Sequence, residues 1–149
     1  DLLIGEKTAE EIKKNIGCAY LDKDIPDSVK QMEVRGRDII TGLPKIATIT
    51  SIDALNALED PIRVIIDGIK NTLEEAPPEI AADIVSSGLV LTGGGALIQG
   101  LDKLIEINTG LKVSIAENAL EAVAEGTGKS LASIEKIQKY SRKGSKKKV

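Results

Sequence analysis

The sequence predicts a mixed α/β chain, and three observations carry that reading. An apolar run, Leu89-Val90-Leu91-Thr92, leads straight into Gly93-Gly94-Gly95 and then into a helical stretch. Two β-rich runs, 33–40 and 43–50, are split by Thr41-Gly42. Several other segments place Ile, Leu and Ala at helical spacing.

The elements follow in order. Thr8-Ala9-Glu10-Glu11 has the form of a capping box, with Thr8 at the cap, and Ala9, Ile12 and Ile16 make the apolar stripe of the helix it opens. Glu10, Lys13, Lys14 and Gly17 form a separate polar stripe. Residues 21–30 are polar and read as a loop. The Thr41-Gly42 pair suggests a two-residue hairpin connection, and Pro44 places the second run at a sheet edge. Thr50 or Ser51 caps a short helix carrying Ile52, Leu55 and Leu58. Asp60-Pro61 reads as the start of a further helix, which Pro77-Pro78 ends. The next helix opens at Pro78 and stops at Gly88. Beyond the glycines, Gly100 and Gly110 bound a helix with Leu101, Leu104 and Ile105. A strand follows over 111–115, and Asn118 can cap a last helical region from Ala119 to about Lys139.

Composition narrows the function classes. A chain of 149 residues suits one domain, or two small lobes sharing a core. Its only aromatic residues are two Tyr, which leaves Ile, Leu, Val and Ala to build the core and weakens any base-stacking role. With no His and one Cys, a His-based metal site, a Ser-His-Asp triad and a Cys-His pair are excluded. Cys18 alone makes no internal disulfide, so a reducing compartment is the default. No apolar run approaches the roughly 20 residues of a membrane span. The start at Asp1-Leu2-Leu3-Ile4, without Met, reads as a cut from a longer protein. Net charge is −3, but the last eleven residues hold six Lys or Arg and no acid; taking that +6 from −3 leaves −9 on the rest. This acidic body argues against a nucleic-acid surface.

Two motifs invite a phosphate-loop reading and fail it. A dinucleotide fingerprint needs glycine where Ile98 stands, and a Walker A loop ending in Gly128-Lys129 needs glycine where Val123 stands. The Gly93–Gly95 run remains: without Cβ atoms, its backbone can approach a ligand closely at the carboxyl end of a strand. A tight strand-to-helix turn explains the same glycines. The Glu10, Lys13, Lys14 stripe can line a pocket, the carboxylate accepting from hydroxyls and the lysine stems covering an apolar ring. From the residues alone, a solvated face is the commoner meaning of such a stripe.

Several stretches, in order over residues 1 to about 135, resemble the MreB family of bacterial actins. They are Leu2-Leu3-Ile4-Gly5-Glu6-Lys7-Thr8-Ala9-Glu10-Glu11; Val34-Arg35-Gly36-Arg37-Asp38 with Thr41-Gly42-Leu43-Pro44; Glu74-Glu75-Ala76-Pro77-Pro78-Glu79; Leu91-Thr92-Gly93-Gly94-Gly95-Ala96-Leu97; and Glu125-Gly126-Thr127-Gly128-Lys129. The resemblance implies the second domain of an actin-like ATPase (ribonuclease H-like), with a small α+β subdomain. Residues 1–58 would form that subdomain, 59–139 a large subdomain with part of the central sheet, and 140–149 a basic, disordered tail.

The resemblance also implies ATP as cofactor, with adenosine between Gly93, Gly94, Gly95 and Leu97 on one wall and Glu10, Lys13 and Lys14 on the other. The last three match an E-x-x-K-[KR] helix pattern of the Hsp70 branch. The family's phosphate loops and the acids that position Mg²⁺ and water would precede this chain, so it should be inactive alone. The parent is expected to be cytoplasmic, to self-associate into filaments at the inner-membrane surface, and to work with the cell-wall synthesis machinery; no nucleic acid is expected. The alternatives are a fragment of an Hsp70-like or sugar-kinase-like ATPase, or a lipid-binding module acting through the tail.

Overall fold

The computed structural model describes residues 2–22, 29–132 and 134. The first half is organised by an antiparallel sheet of β1 (Leu2–Leu3), β2 (Gln31–Asp38) and β3 (Pro44–Thr50), in that spatial order. Pro44 opens β3, an edge strand, where a missing N–H costs least. Helix α1 (Glu6–Ile16) packs Ile12 and Ile16 against Val34 of β2, with Met32 and Ile49 closing around them.

Two local expectations fail here. Helix α1 starts at Glu6, capped by extended Gly5 without a side-chain bond. The Ala9 N–H already reaches the Gly5 carbonyl at 3.0 Å, so the helix is under way before Thr8 and the predicted box does not form. The hairpin connection is also longer than Thr41-Gly42. The Asp38 N–H donates to Leu43 and the Gly42 N–H to Asp38 (both 2.9 Å), which encloses residues 39–43. Asp38 Oδ1 accepts from the N–H groups of Ile40 (2.9 Å) and Thr41 (3.0 Å), while its Oδ2 takes the Lys45 ammonium at 2.8 Å. One carboxylate therefore organises the turn.

Helix α2 (Ser51–Glu75) is the largest correction: one helix of 25 residues runs where two were expected. Thr50 caps it in a reciprocal box with Asp53. Pro61 lies inside it rather than at a helix start. An interior proline forfeits one hydrogen bond and crowds the carbonyl four residues back. Here Pro61 and Ala57 are both exposed, so water can take the freed carbonyl. The inward face offsets the loss, because Ala54 sits in the first core and Ile62 and Ile66 in a second.

That second core gathers Ala19, Leu101, Ile105 and Val113 around Ile62 and Ile66. The second half of the chain consists of α3 (Pro78–Ser87), β4 (Leu89–Leu91), a 3-10 turn (Gly94–Leu97), α4 (Leu101–Thr109), β5 (Val113–Ile115) and α5 (Ala122–Ala132), of which β4, α4 and β5 supply residues to that core. β4 and β5 pair in parallel, Leu89 with Val113 and Leu91 with Ile115. β5 is two residues shorter than the expected 111–115 strand. α5 starts at Ala122 rather than Ala119, because the Asn118 carbonyl first accepts the N–H groups of Glu121 and Ala122 in a turn. The expected end of that helix near Lys139 and the 140–149 tail lie outside the described residues.

Candidate functional site

The glycine loop leaves the carboxyl end of β4, beside its parallel neighbour β5. The Ala116 N–H donates to the Leu91 carbonyl (3.0 Å), so the two chains stay together just past the paired strands. Gly93 has φ +83°, a conformation that L side chains rarely adopt, and its N–H donates to Ala119 at 2.6 Å. Gly94 and Gly95 differ. Neither has a positive φ, and a Cβ built on Gly95 meets nothing within 4 Å. One built on Gly94 meets only Leu120 Cδ2, at an ordinary 3.5 Å. The backbone conformation thus demands glycine at 93, whereas neither conformation nor packing demands it at 94 or 95. Ala96 is buried and anchors the 3-10 turn, while Leu97 is 54% exposed. The α-helix expected between Gly100 and Gly110 forms over Leu101–Thr109.

The polar stripe lies on α1. Lys14 Nζ and Glu10 Oε1 pair at 2.8 Å, both exposed. The hydrogen bond from Lys14 holds the Glu10 carboxyl below the usual carboxylate range, helped by the positive charges of Lys14 and Lys13. Glu10 and Lys13 also edge an apolar cleft of about 650 Å³ between α1 and the start of α2, walled by Ile4, Ala9, Ile49 and Ala57. Lys14 and the glycine loop do not line this cleft.

The seven predicted positions therefore fall into two groups: Glu10, Lys13 and Lys14 on α1, and Gly93, Gly94, Gly95 and Leu97 on the loop. No hydrogen bond or ion pair joins the groups among the described residues; a short bridge just beyond each does. Cys18 pairs with Gln99, and the Ala19 N–H donates to the Gln99 carbonyl at 2.8 Å. Lys30 Nζ reaches Gln99 Oε1 at 3.1 Å. Gly100, at φ +77°, lets the chain pass the Tyr20 carbonyl, which a Cβ would approach to 2.7 Å. Sequence reasoning missed Gln99 and the Ala119–Leu120 backing of the glycines. The turn-forming Asn118 hinted at the latter, whereas nothing in the sequence pointed to Gln99.

This arrangement, a small α+β unit tied to an α/β unit with a glycine loop at a parallel strand end, is the mixed α/β fold of the actin-like ATPases. It superposes on MreB5 of Spiroplasma citri bound to ADP with a TM-score of 0.83 at 38% identity, covering 93% of this chain and 41% of that one. The same protein bound to AMPPNP gives 0.83 and 38% over 94% and 41%. The MreB/Mbl protein family matches residues 1–139, and the chain belongs to it. It is 47% identical over 133 residues to the cell shape-determining protein MreB of Escherichia coli (strain K12), covering 89% of this chain and 37% of that one. It is 41% identical over 139 residues to Mbl of Bacillus subtilis (strain 168), covering 93% and 40%. The chain thus spans about two fifths of the length of these relatives.

Proposed function

We propose that this chain supplies the adenosine-binding side of an ATP-binding, filament-forming bacterial actin homologue that sets cell shape by organising cell-wall synthesis. The observation that carries the reading is the pair Gly94 and Gly95, glycines that the fold does not require, set at a parallel strand end. Support comes from the likeness over 93–94% of the chain to a protein seen with ADP and with AMPPNP. In this reading Gly93, Gly94, Gly95 and Leu97 form one wall and Glu10, Lys13 and Lys14 the other, with ionised Glu10 accepting from ribose hydroxyls. The lobes, 1–58 and 59–139, would meet along α2.

ATP supplies the phosphoryl chemistry when bound, with Mg²⁺ in the longer protein. This chain's own part is to hold and orient the base and sugar. No phosphate loop is present in these 149 residues, so the chain alone should not hydrolyse ATP. Self-association is supported by the hairpin tip, where Ile39, Ile40 and Leu43 are 63%, 80% and 65% exposed on a turn held rigid by Asp38. We place the parent in the cytoplasm at the inner-membrane surface. No helix among the described residues is long and apolar enough to cross a membrane.

Isothermal calorimetry of the chain with ATP, beside a Gly94→Val variant of equal thermal stability, tests the site. Weak binding, in the millimolar range (about −4 kcal/mol), that the variant loses is the expected result. Equal binding by both would remove the loop from the site.

A further inference from the structure

The hairpin sheet keeps one edge and one face open. The Asp38 N–H donates to the Leu43 carbonyl at one end of the β2–β3 ladder and the Ser51 N–H to the Lys30 carbonyl at the other, both at 2.9 Å. Antiparallel alternation between those ends turns the peptide groups of Lys45, Ala47 and Ile49 towards β2, and those of Ile46 and Thr48 away from it. Pro44, whose missing N–H would also point outward, fits the same edge. The outward face carries a second feature. Arg35 stands across from exposed Ile46, and Arg37 stands between Pro44 and exposed Leu3. Both arginines are exposed. Lys45 has Asp38 and Lys14 has Glu10, but among the described residues neither Arg35 nor Arg37 has an ion-pair partner.

We propose that this edge docks an extended acidic segment of a partner protein, which joins the sheet as a further strand antiparallel to β3. Ile46 and Thr48 exchange main-chain hydrogen bonds with the residues directly opposite them, whose side chains then lie on the arginine face. Opposite Ile46 and Pro44 the incoming residues are acidic. Strand spacing sets them roughly 10 Å from β2, a span that Glu and Arg side chains bridge together. Each contact is a carboxylate–guanidinium pair, the strong and directional kind. Opposite Thr48 the incoming residue is neutral, because Glu33 stands across from Thr48 and repels a third carboxylate. From its N-terminus the segment therefore runs neutral, any, acidic, any, acidic. A second copy of the chain offers no such segment at a sheet edge, since β1 and β3 hold no acidic residue. An anionic lipid surface would meet Glu33 on the same face and leave the Ile46 and Thr48 peptide groups unused. The surface is distinct from the adenosine walls, and the inference does not rest on them.

The probe is a synthetic peptide, Ser-Thr-Val-Glu-Val-Glu-Ser, titrated into the full chain and followed by amide NMR shifts. The expected result is binding that moves the Ile46 and Thr48 amides most and weakens as salt rises. The double variant Arg35→Gln with Arg37→Gln, shown to be folded by thermal unfolding, should bind at least about tenfold more weakly. Methylating the two Glu nitrogens of the peptide should abolish binding, whereas methylating the two Val nitrogens should not. In an antiparallel strand only the former point at β3. The proposal is overturned if no shift appears up to about 1 mM peptide, or if the shifts lie away from β3. It is equally overturned if the folded double variant binds like the parent, if the two methylated peptides behave alike, or if a peptide with Lys in place of Glu binds as well. Shifts of Ile46 and Thr48 that arise with chain concentration alone would assign the edge to a second copy. Shifts that arise with phosphatidylglycerol vesicles but not with the peptide would assign it to a membrane. Either would sink the proposal.

Discussion

The two sheets are held together by different kinds of contact. In the three-stranded sheet, β2 and β3 pair over seven residue pairs across a short turn, and one side chain, Asp38, closes the connection. In the two-stranded sheet, β4 and β5 pair over three residue pairs and are separated in sequence by the glycine loop and α4. That loop takes its position from distant partners: Ala119 on Gly93, and Ala19 on Gln99. Local pairing makes the first region self-sufficient. The second depends on its core and on backbone passages that only glycine permits, and the candidate adenosine wall belongs to this dependent region.

The largest test of that difference is Ile105→Ala. Ile105 is fully buried at the centre of the second core, beside Leu101 and Val113. Truncation should cost roughly 2–5 kcal/mol, from lost transfer energy plus the cavity left behind. Urea unfolding of the variant measures it. A loss below about 1 kcal/mol would mean that the site collapses freely and that the loop does not depend on this core.

Next comes the pair Gly100→Ala and Gly95→Ala. At Gly100 a methyl meets both a left-handed backbone, costing about 1–2 kcal/mol, and the Tyr20 carbonyl at 2.7 Å. It should therefore destabilise the chain by more than the backbone figure and loosen the Gln99 bridge. At Gly95 the methyl enters open space, so stability should change by less than about 0.5 kcal/mol, while nucleotide binding weakens. Similar thermal shifts for the two variants would undo the distinction between structural and ligand-facing glycines.

The same division governs what the sequence made legible. Helices that bury a periodic face were readable: Ile12 and Ile16, and Leu101 with Ile105, are buried where periodicity put them. The glycine loop was readable as a loop because a β-rich run stops at it. The failures are local signals overruled by longer-range packing. Asp60-Pro61 has the chemistry of a helix start, yet Ala54 on one side and Ile62 with Ile66 on the other anchor a single helix to two cores. Thr8-Ala9-Glu10-Glu11 has the form of a cap, but the turn at Gly5 begins the helix earlier. The Gln99 bridge carries no signal at all, since a backbone pairing between residues 18 and 99 leaves no trace in residue type.

The smallest expected effect lies in the self-sufficient region, at Asp38. Its carboxyl is held well below the usual range, first by the Lys45 hydrogen bond and then by the N–H groups of Thr41 and Ile40. A carboxyl whose folded value is depressed adds stability that is fully present above its unfolded value, about 3.9, and lost as pH falls through the folded one. The Ile40 and Thr41 amides should therefore keep their hydrogen-bonded shifts from neutral pH down past 4, and lose them only in stronger acid. Asp38→Asn keeps an acceptor oxygen but removes the titration, so its amide shifts should be flat over the same range. Amide shifts in the parent chain that instead titrate near 4 would mean that Asp38 is solvated and the turn loose. The exposed Ile39, Ile40 and Leu43 would then lack the rigid platform that self-association through the hairpin tip requires.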